Sequence, residues 1–138
     1  MKKINLLITF LISMTGLVSL SHESHDHDQP LTVQAPKGGA IKSLEETYVE
    51  VLVKGKDIKI YLYDKELKPR MVKDFTIKAK IEMPRTKKTE VIKLSANEQY
   101  FQASFDGKGI HRYILHLSVK DPKTGHDDQL KFTIEPKK

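Results

Sequence analysis

The chain of 138 residues contains no cysteine and no tryptophan. Without cysteine there can be no disulfide, no zinc–thiolate site, no cysteine nucleophile and no lipid-modified cysteine anchor. A blue-copper centre needs a cysteine ligand and is excluded with them. Catalytic signatures are missing too: there is no G-x-S-x-G, no H-E-x-x-H and no phosphate-cradling glycine loop. Asp and Glu are scattered on lysine-rich faces, where mutual pairing accounts for them. The sequence therefore argues against an enzyme. Nor does any helical period persist beyond two turns.

What is present begins with an export signal. Lys2 and Lys3 precede an uncharged run from Ile4 to Leu20, and Ser19 and Ser21 are small residues placed for cleavage after Ser21. This is the layout of a secretory signal peptide over residues 1–21. The rival is a retained anchor, since 17 uncharged residues approach the roughly 20 of a spanning helix. Asn5, Thr9, Ser13, Thr15 and Gly16 interrupt the run and favour cleavage. Cleavage would leave a periplasmic or secreted chain with no membrane span. Its 117 residues would suffice for one domain burying roughly 65% of its unfolded surface.

Charge is segregated along the chain. Residues 22–30 carry Glu23, Asp26 and Asp28 with no Lys or Arg, whereas residues 31–138 hold 22 basic and 15 acidic side chains. The lysines fall singly at alternating positions, as in "KDIKIYLYDKELK", which describes a solvated strand face. No aromatics are interleaved for base stacking, so nucleic acid is not an expected partner. The one tight basic group, Arg85, Lys87 and Lys88, reads as a hairpin tip.

Period-two alternation recurs between turn residues. It marks strands at 48–54, 57–64, 74–83, 90–95, 99–105, 111–120 and 130–135. About seven short antiparallel strands, each with one apolar face, predict an all-β immunoglobulin-like β-sandwich over residues 36–138. On the second strand Ile58, Ile60 and Leu62 face the core, leaving Tyr61 and Tyr63 exposed among lysines.

Residues 35–51, "APKGGAIKSLEETYVEV", approach the first long strand through Pro36 and the Gly38–Gly39 pair. Followed by "IKIYLYD", this stretch resembles small His-rich periplasmic β-sandwich proteins associated with bacterial heavy-metal efflux or copper handling. In those, a His-rich leader runs into "HGG", then a "Y-x-V-E" strand and a "Y-L-x-D"-like strand. The resemblance covers about residues 22–64 and implies periplasmic metal binding or delivery to an efflux-system partner. The chain departs from the pattern at Lys37, which stands where the pattern has histidine. A Lys ammonium has no lone pair to ligate a metal.

Three of the six histidines, His22, His25 and His27, lie with Asp26 and Asp28 in the segment 22–35, which is too polar to fold alone. Imidazole nitrogens with carboxylate oxygens suit divalent Cu, Zn or Ni. Wrapping such a segment round an ion orders about six residues at about 1–2 kcal/mol each, so micromolar affinity is expected. His126, beside Asp127 and Asp128, is the body residue that can add a ligand if the fold brings it to the tail. His111 and His116 point to opposite faces of one strand, and Met71 and Met83 read as core filler.

Two functional readings follow. One is an exported accessory protein that captures divalent transition metal on the tail and passes it to a transport partner. The other is an exported immunoglobulin-like module binding a protein or envelope surface through Tyr61 and Tyr63, with the tail as spacer.

Overall fold

A computed structural model describes residues 33–136. The N-terminal apolar segment and the histidines of the tail lie outside the described residues. Among the described residues nine strands run in order: β1 (Ala40–Ser43), β2 (Tyr48–Lys54), β3 (Asp57–Tyr63), β4 (Thr76–Met83), β5 (Lys88–Ile92), β6 (Ser95–Ala96), β7 (Tyr100–Ser104), β8 (Tyr113–Lys120) and β9 (Asp127–Ile134). A 3₁₀ turn at Val72–Asp74 precedes β4. Among the described residues no helix is long and apolar enough to cross a membrane.

The strands form two antiparallel sheets, β1-β2-β3-β7-β6 and β5-β4-β8-β9. The protein is an all-β sandwich. Lettering β2, β3, β4, β6, β7, β8 and β9 from A to G gives the neighbour orders A-B-E-D and C-F-G of immunoglobulin-like sandwiches.

Alternation dictates the core. From β3 come Ile58, Ile60 and Leu62, from β4 Ile77, Ala79 and Ile81, and from β8 Tyr113, Leu115, Leu117 and Val119, all buried between the sheets. Val49 and Val51 of β2, Phe101 and Ala103 of β7, and Leu130, Phe132 and Ile134 of β9 complete it. Full burial of one such aliphatic side chain is worth about 1.5–3 kcal/mol, so the inward rows hold the sheets together without any cross-link.

The strand count departs from seven in two places. β1 is too short to show alternation, and its Ile41 faces away from the core, opposite Glu50. The stretch 90–95 also divides: β5 ends at Ile92 in one sheet, and β6 begins at Ser95 in the other. Ile92 is buried and Leu94 packs against the core. Alternation records the relation of a residue to the core, so a chain that switches sheets keeps one unbroken pattern.

Candidate functional site

The outward face of the five-stranded sheet carries the least expected chemistry. Register sets Glu50 of β2 opposite Tyr61 of β3, and Tyr61 opposite Tyr100 of β7. Glu50 points away from the core yet has no exposed surface. What covers it is the segment 35–39. The backbone N–H of Lys37 donates to both carboxylate oxygens at 3.0 and 3.2 Å, and that of Gly39 donates to Oε1 at 2.8 Å. The Tyr63 hydroxyl donates to Oε2 at 2.8 Å.

The two glycines serve this clamp for different reasons. Gly38 closes a turn onto the Ala35 carbonyl with φ +77°, a conformation that costs other residues. Gly39 passes so close to β2 that a Cβ there would sit 2.4 Å from the Val51 carbonyl oxygen. Three donors meet the carboxylate, the Lys37 N–H being shared between both of its oxygens. Glu50 is thus engaged in holding the loop.

Tyr63 is buried, not exposed as its place in the strand suggested. The loop clamped on Glu50 shields that end of the face, and alternation along β3 carries no information about a covering loop. Burial pushes the Tyr63 phenol well above its ordinary range, and the adjacent Glu50 carboxylate pushes it further.

Tyr61 remains part-exposed and acquires partners. Its ring lies 5.3 Å from that of Tyr100. The Lys37 ammonium stands 5.7 Å above Tyr61, Lys59 stands 4.7 Å above Tyr100, and Lys65 stands 5.1 Å above Tyr48. A shallow hollow of about 250 Å³ opens here, lined by Lys37, Leu52, Lys54, Asp57, Lys59 and Tyr61. Lys37, Lys54 and Lys59 form no ion pair with a carboxylate among the described residues. The result is a cationic, aromatic surface.

Of the residues expected to ligate metal, His22, His25, His27, Asp26 and Asp28 lie outside the described residues. His126 is exposed between β8 and β9; its N–H donates to Thr124 Oγ1 and its carbonyl accepts from Asp121. Its neighbour Asp127 accepts from Ser118 across the β8–β9 pair. Among the described residues no three His, Asp or Glu side chains gather into a group able to hold a metal ion. His116 meets Glu82 of the adjacent strand at 2.6 Å. His111 is exposed on a wider cleft of about 610 Å³ at one end of the other sheet, with Met83, Arg85, Arg112 and Glu135. Met71 is exposed and Met83 part-exposed on that cleft, so neither is the core filler expected.

A buried polar knot ties the loops at the opposite end. Arg70 Nη1 bonds Asp121 Oδ2 at 3.1 Å, Thr47 Oγ1 donates to the same oxygen, and the guanidinium lies 4.5 Å over the Phe75 ring. Burial pushes Asp121 upward, but the Lys123 N–H, Arg70 and Thr47 outweigh it and hold its carboxyl below the usual range. Nothing in the sequence marks this knot. Glu50 did leave a sign, a lone acid in the apolar run "YVEVLV" downstream of a glycine pair.

Comparison with known proteins bears on the fold. No family model and no curated protein matches the chain. Among solved structures it is similar to FetP of uropathogenic E. coli strain F11, which was expressed in the periplasm of E. coli. The TM-score is 0.52 at 8% identity, over 71% of this chain and 93% of that one. The likeness is one of fold.

Proposed function

We propose that the protein is an exported accessory protein that captures divalent transition metal on residues 22–28, with the β-sandwich as its carrier. His22, His25 and His27 supply imidazole nitrogens, and Asp26 and Asp28 supply oxygens. The observation that carries this reading is the clamp on Glu50. It fixes the chain at Lys37 and Gly39 against the sheet, and Lys37 follows Asp28 by only nine residues in sequence. An efflux or envelope protein is the recipient this arrangement suits. The periplasmic expression of FetP, a protein of similar fold, agrees with an exported setting. His126, exposed in a loop beside Asp127 and Asp128, is the body histidine assigned here as an additional ligand.

Calorimetric titration with Zn²⁺, Cu²⁺ and Ni²⁺ tests it, comparing the chain with its His22→Asn/His25→Asn/His27→Asn variant. Micromolar binding lost in the variant supports the reading. Binding no tighter than about 100 µM, or about 5.5 kcal/mol, overturns it.

A second reading has its own observation, the Lys–Tyr surface of Tyr61, Tyr100, Lys37 and Lys59. Part-exposed tyrosines ringed by cations favour binding of an anionic partner. The surface differs from the one expected from sequence, because Tyr63 is withdrawn beneath the loop and Tyr100 takes its place.

A further inference from the structure

We infer that the cleft at the end of the four-stranded sheet is a binding site for a phosphate monoester carried on a small apolar body. The cleft lies between the β4–β5 turn, the link from β7 to β8 and the end of β9. Arg85 and Arg112 take the phosphoryl oxygens, and Met83, Pro84 and Ile110 receive the apolar part. This site is independent of the metal-binding reading above.

Arginine usage is the first ground. The chain has 21 lysines and only three arginines. Arg70 is engaged with Asp121 in the polar knot. The other two, far apart in sequence, both line this cleft. Register brings them together: Glu82 pairs with Ile114, so two steps along the same ladder Arg112 comes level with Pro84, the neighbour of Arg85. Neither guanidinium has a carboxylate within 4.0 Å among the described residues. Glu135, the one acid of the lining, comes level with Arg112 one step past the Tyr113–Ile134 pair, yet forms no ion pair with it.

Donor chemistry is the second. One guanidinium fork satisfies both oxygens of a carboxylate by itself. Two forks, with the Thr86 hydroxyl and the His111 imidazole in the same lining, offer more donors than one carboxylate can accept. They suit the three terminal oxygens and double charge of a phosphate monoester. Lysine, which serves the solvated faces elsewhere in the chain, offers a point charge without the fork.

A preformed frame is the third. The cleft's volume of about 610 Å³ falls within the roughly 300–1,000 Å³ of small-molecule sites. Ile110 packs against the core, and its N–H donates to the Gly107 carbonyl at 2.9 Å. Gly107 lets this link lie on Pro136 and Tyr113, where a Cβ would stand 3.2 and 3.4 Å from their side chains. On the hairpin side the Thr86 N–H donates to the Met83 carbonyl at 3.2 Å, and Lys87 holds φ +54°, uncommon for a residue other than glycine. Binding therefore has side chains to order and little backbone, which lowers its cost.

Amide shifts of the ¹⁵N-labelled chain, followed while phenyl phosphate is added, test the site. The expected result is saturable shifts at Arg85, Thr86, Ile110, His111 and Arg112 with a Kd below about 1 mM. Inorganic phosphate, which lacks the ring, and benzoate, which lacks the third oxygen, should each bind about tenfold more weakly. Arg85→Lys and Arg112→Lys should each weaken phenyl phosphate about tenfold, because lysine keeps the charge and loses the fork. Both arginines are exposed, so the variants should keep the fold, and unmoved amides outside the cleft check this. Phosphatidylcholine vesicles with and without phosphatidic acid separate the sources of the phosphate. Sedimentation with phosphatidic acid that is lost in Arg112→Gln assigns a lipid headgroup, and binding of phenyl phosphate without sedimentation assigns a soluble ester. Lysine variants that bind like the parent overturn the site, as do shifts at Lys54 and Lys59 as large as those in the cleft, since either shows attraction to positive charge alone. Absence of saturation below about 1 mM overturns it too, and inorganic phosphate or benzoate binding as tightly as phenyl phosphate overturns the ligand class.

Discussion

Glu50→Ala would remove the acceptor for three donors at once: the N–H groups of Lys37 and Gly39 and the hydroxyl of Tyr63. A buried donor left without a partner costs about 1–3 kcal/mol. The two amides belong to a surface loop that water can reach once the clamp opens, which places their cost at the low end of that range. The Tyr63 hydroxyl, fully beneath the loop, stands nearer its middle. The sum is about 3–4 kcal/mol, and at about 4–8 °C per kcal/mol for a domain of this size the melting temperature should fall by more than 10 °C. Glu50→Gln is the informative partner. Its amide oxygen still accepts from both N–H groups, and the Tyr63 hydroxyl can turn to accept from the amide nitrogen, so about 1 kcal/mol is expected. Denaturant unfolding followed by far-UV circular dichroism measures both. Hydrogen exchange at Lys37 and Gly39 should accelerate in the alanine variant. A Glu50→Ala variant within about 0.5 kcal/mol of the parent, the range of an ordinary surface change, would refute the clamp.

Gly39→Ala must move either the loop or the Val51 carbonyl, because its methyl would lie 2.4 Å from that oxygen; a loss of about 1–3 kcal/mol is expected in thermal unfolding. The carboxyl of Asp121 is held low in the fold, so its contribution is complete above the unfolded pKa near about 3.9 and is lost as pH falls through the lower folded value. Asp121→Asn should therefore flatten the acid side of the stability profile, and an unchanged acid slope would contradict the knot at Arg70 and Thr47. Tyr63 carries the opposite sign. Its phenol is raised by burial and by Glu50, so the stability it contributes is present below the unfolded pKa near about 10 and is lost as pH rises beyond it. Tyr63→Phe should shallow the alkaline limb of the same profile.

The fold was legible because alternation reports burial directly. Ile58, Ile60 and Leu62, like Leu115, Leu117 and Val119, are buried where period two puts them. The same rule could not show that β5 and β6 belong to different sheets, since both sides of the switch keep Ile92 and Leu94 toward one core. Nor could it foresee the burial of Tyr63 and Glu50. Their cover comes from a loop eleven or more residues away in sequence, joined through backbone N–H groups that every residue but proline possesses. The Gly38–Gly39 pair was visible as punctuation, but its purpose, one turn and one close approach, needed coordinates. Lys37 was read as a lost ligand position. The structure gives it a different role, with its N–H on Glu50 and its ammonium over Tyr61.

Metal capture by residues 22–28 is the central claim, and the imidazole rings report on it most directly. A long-range ¹H–¹⁵N spectrum of the six histidines, recorded while Zn²⁺ is added, separates ligated rings from free ones. The expected result is that His22, His25 and His27 shift together at one equivalent while His111 and His116 stay in place. Shifts confined to His111 and His116, with the three N-terminal rings unmoved, would contradict it.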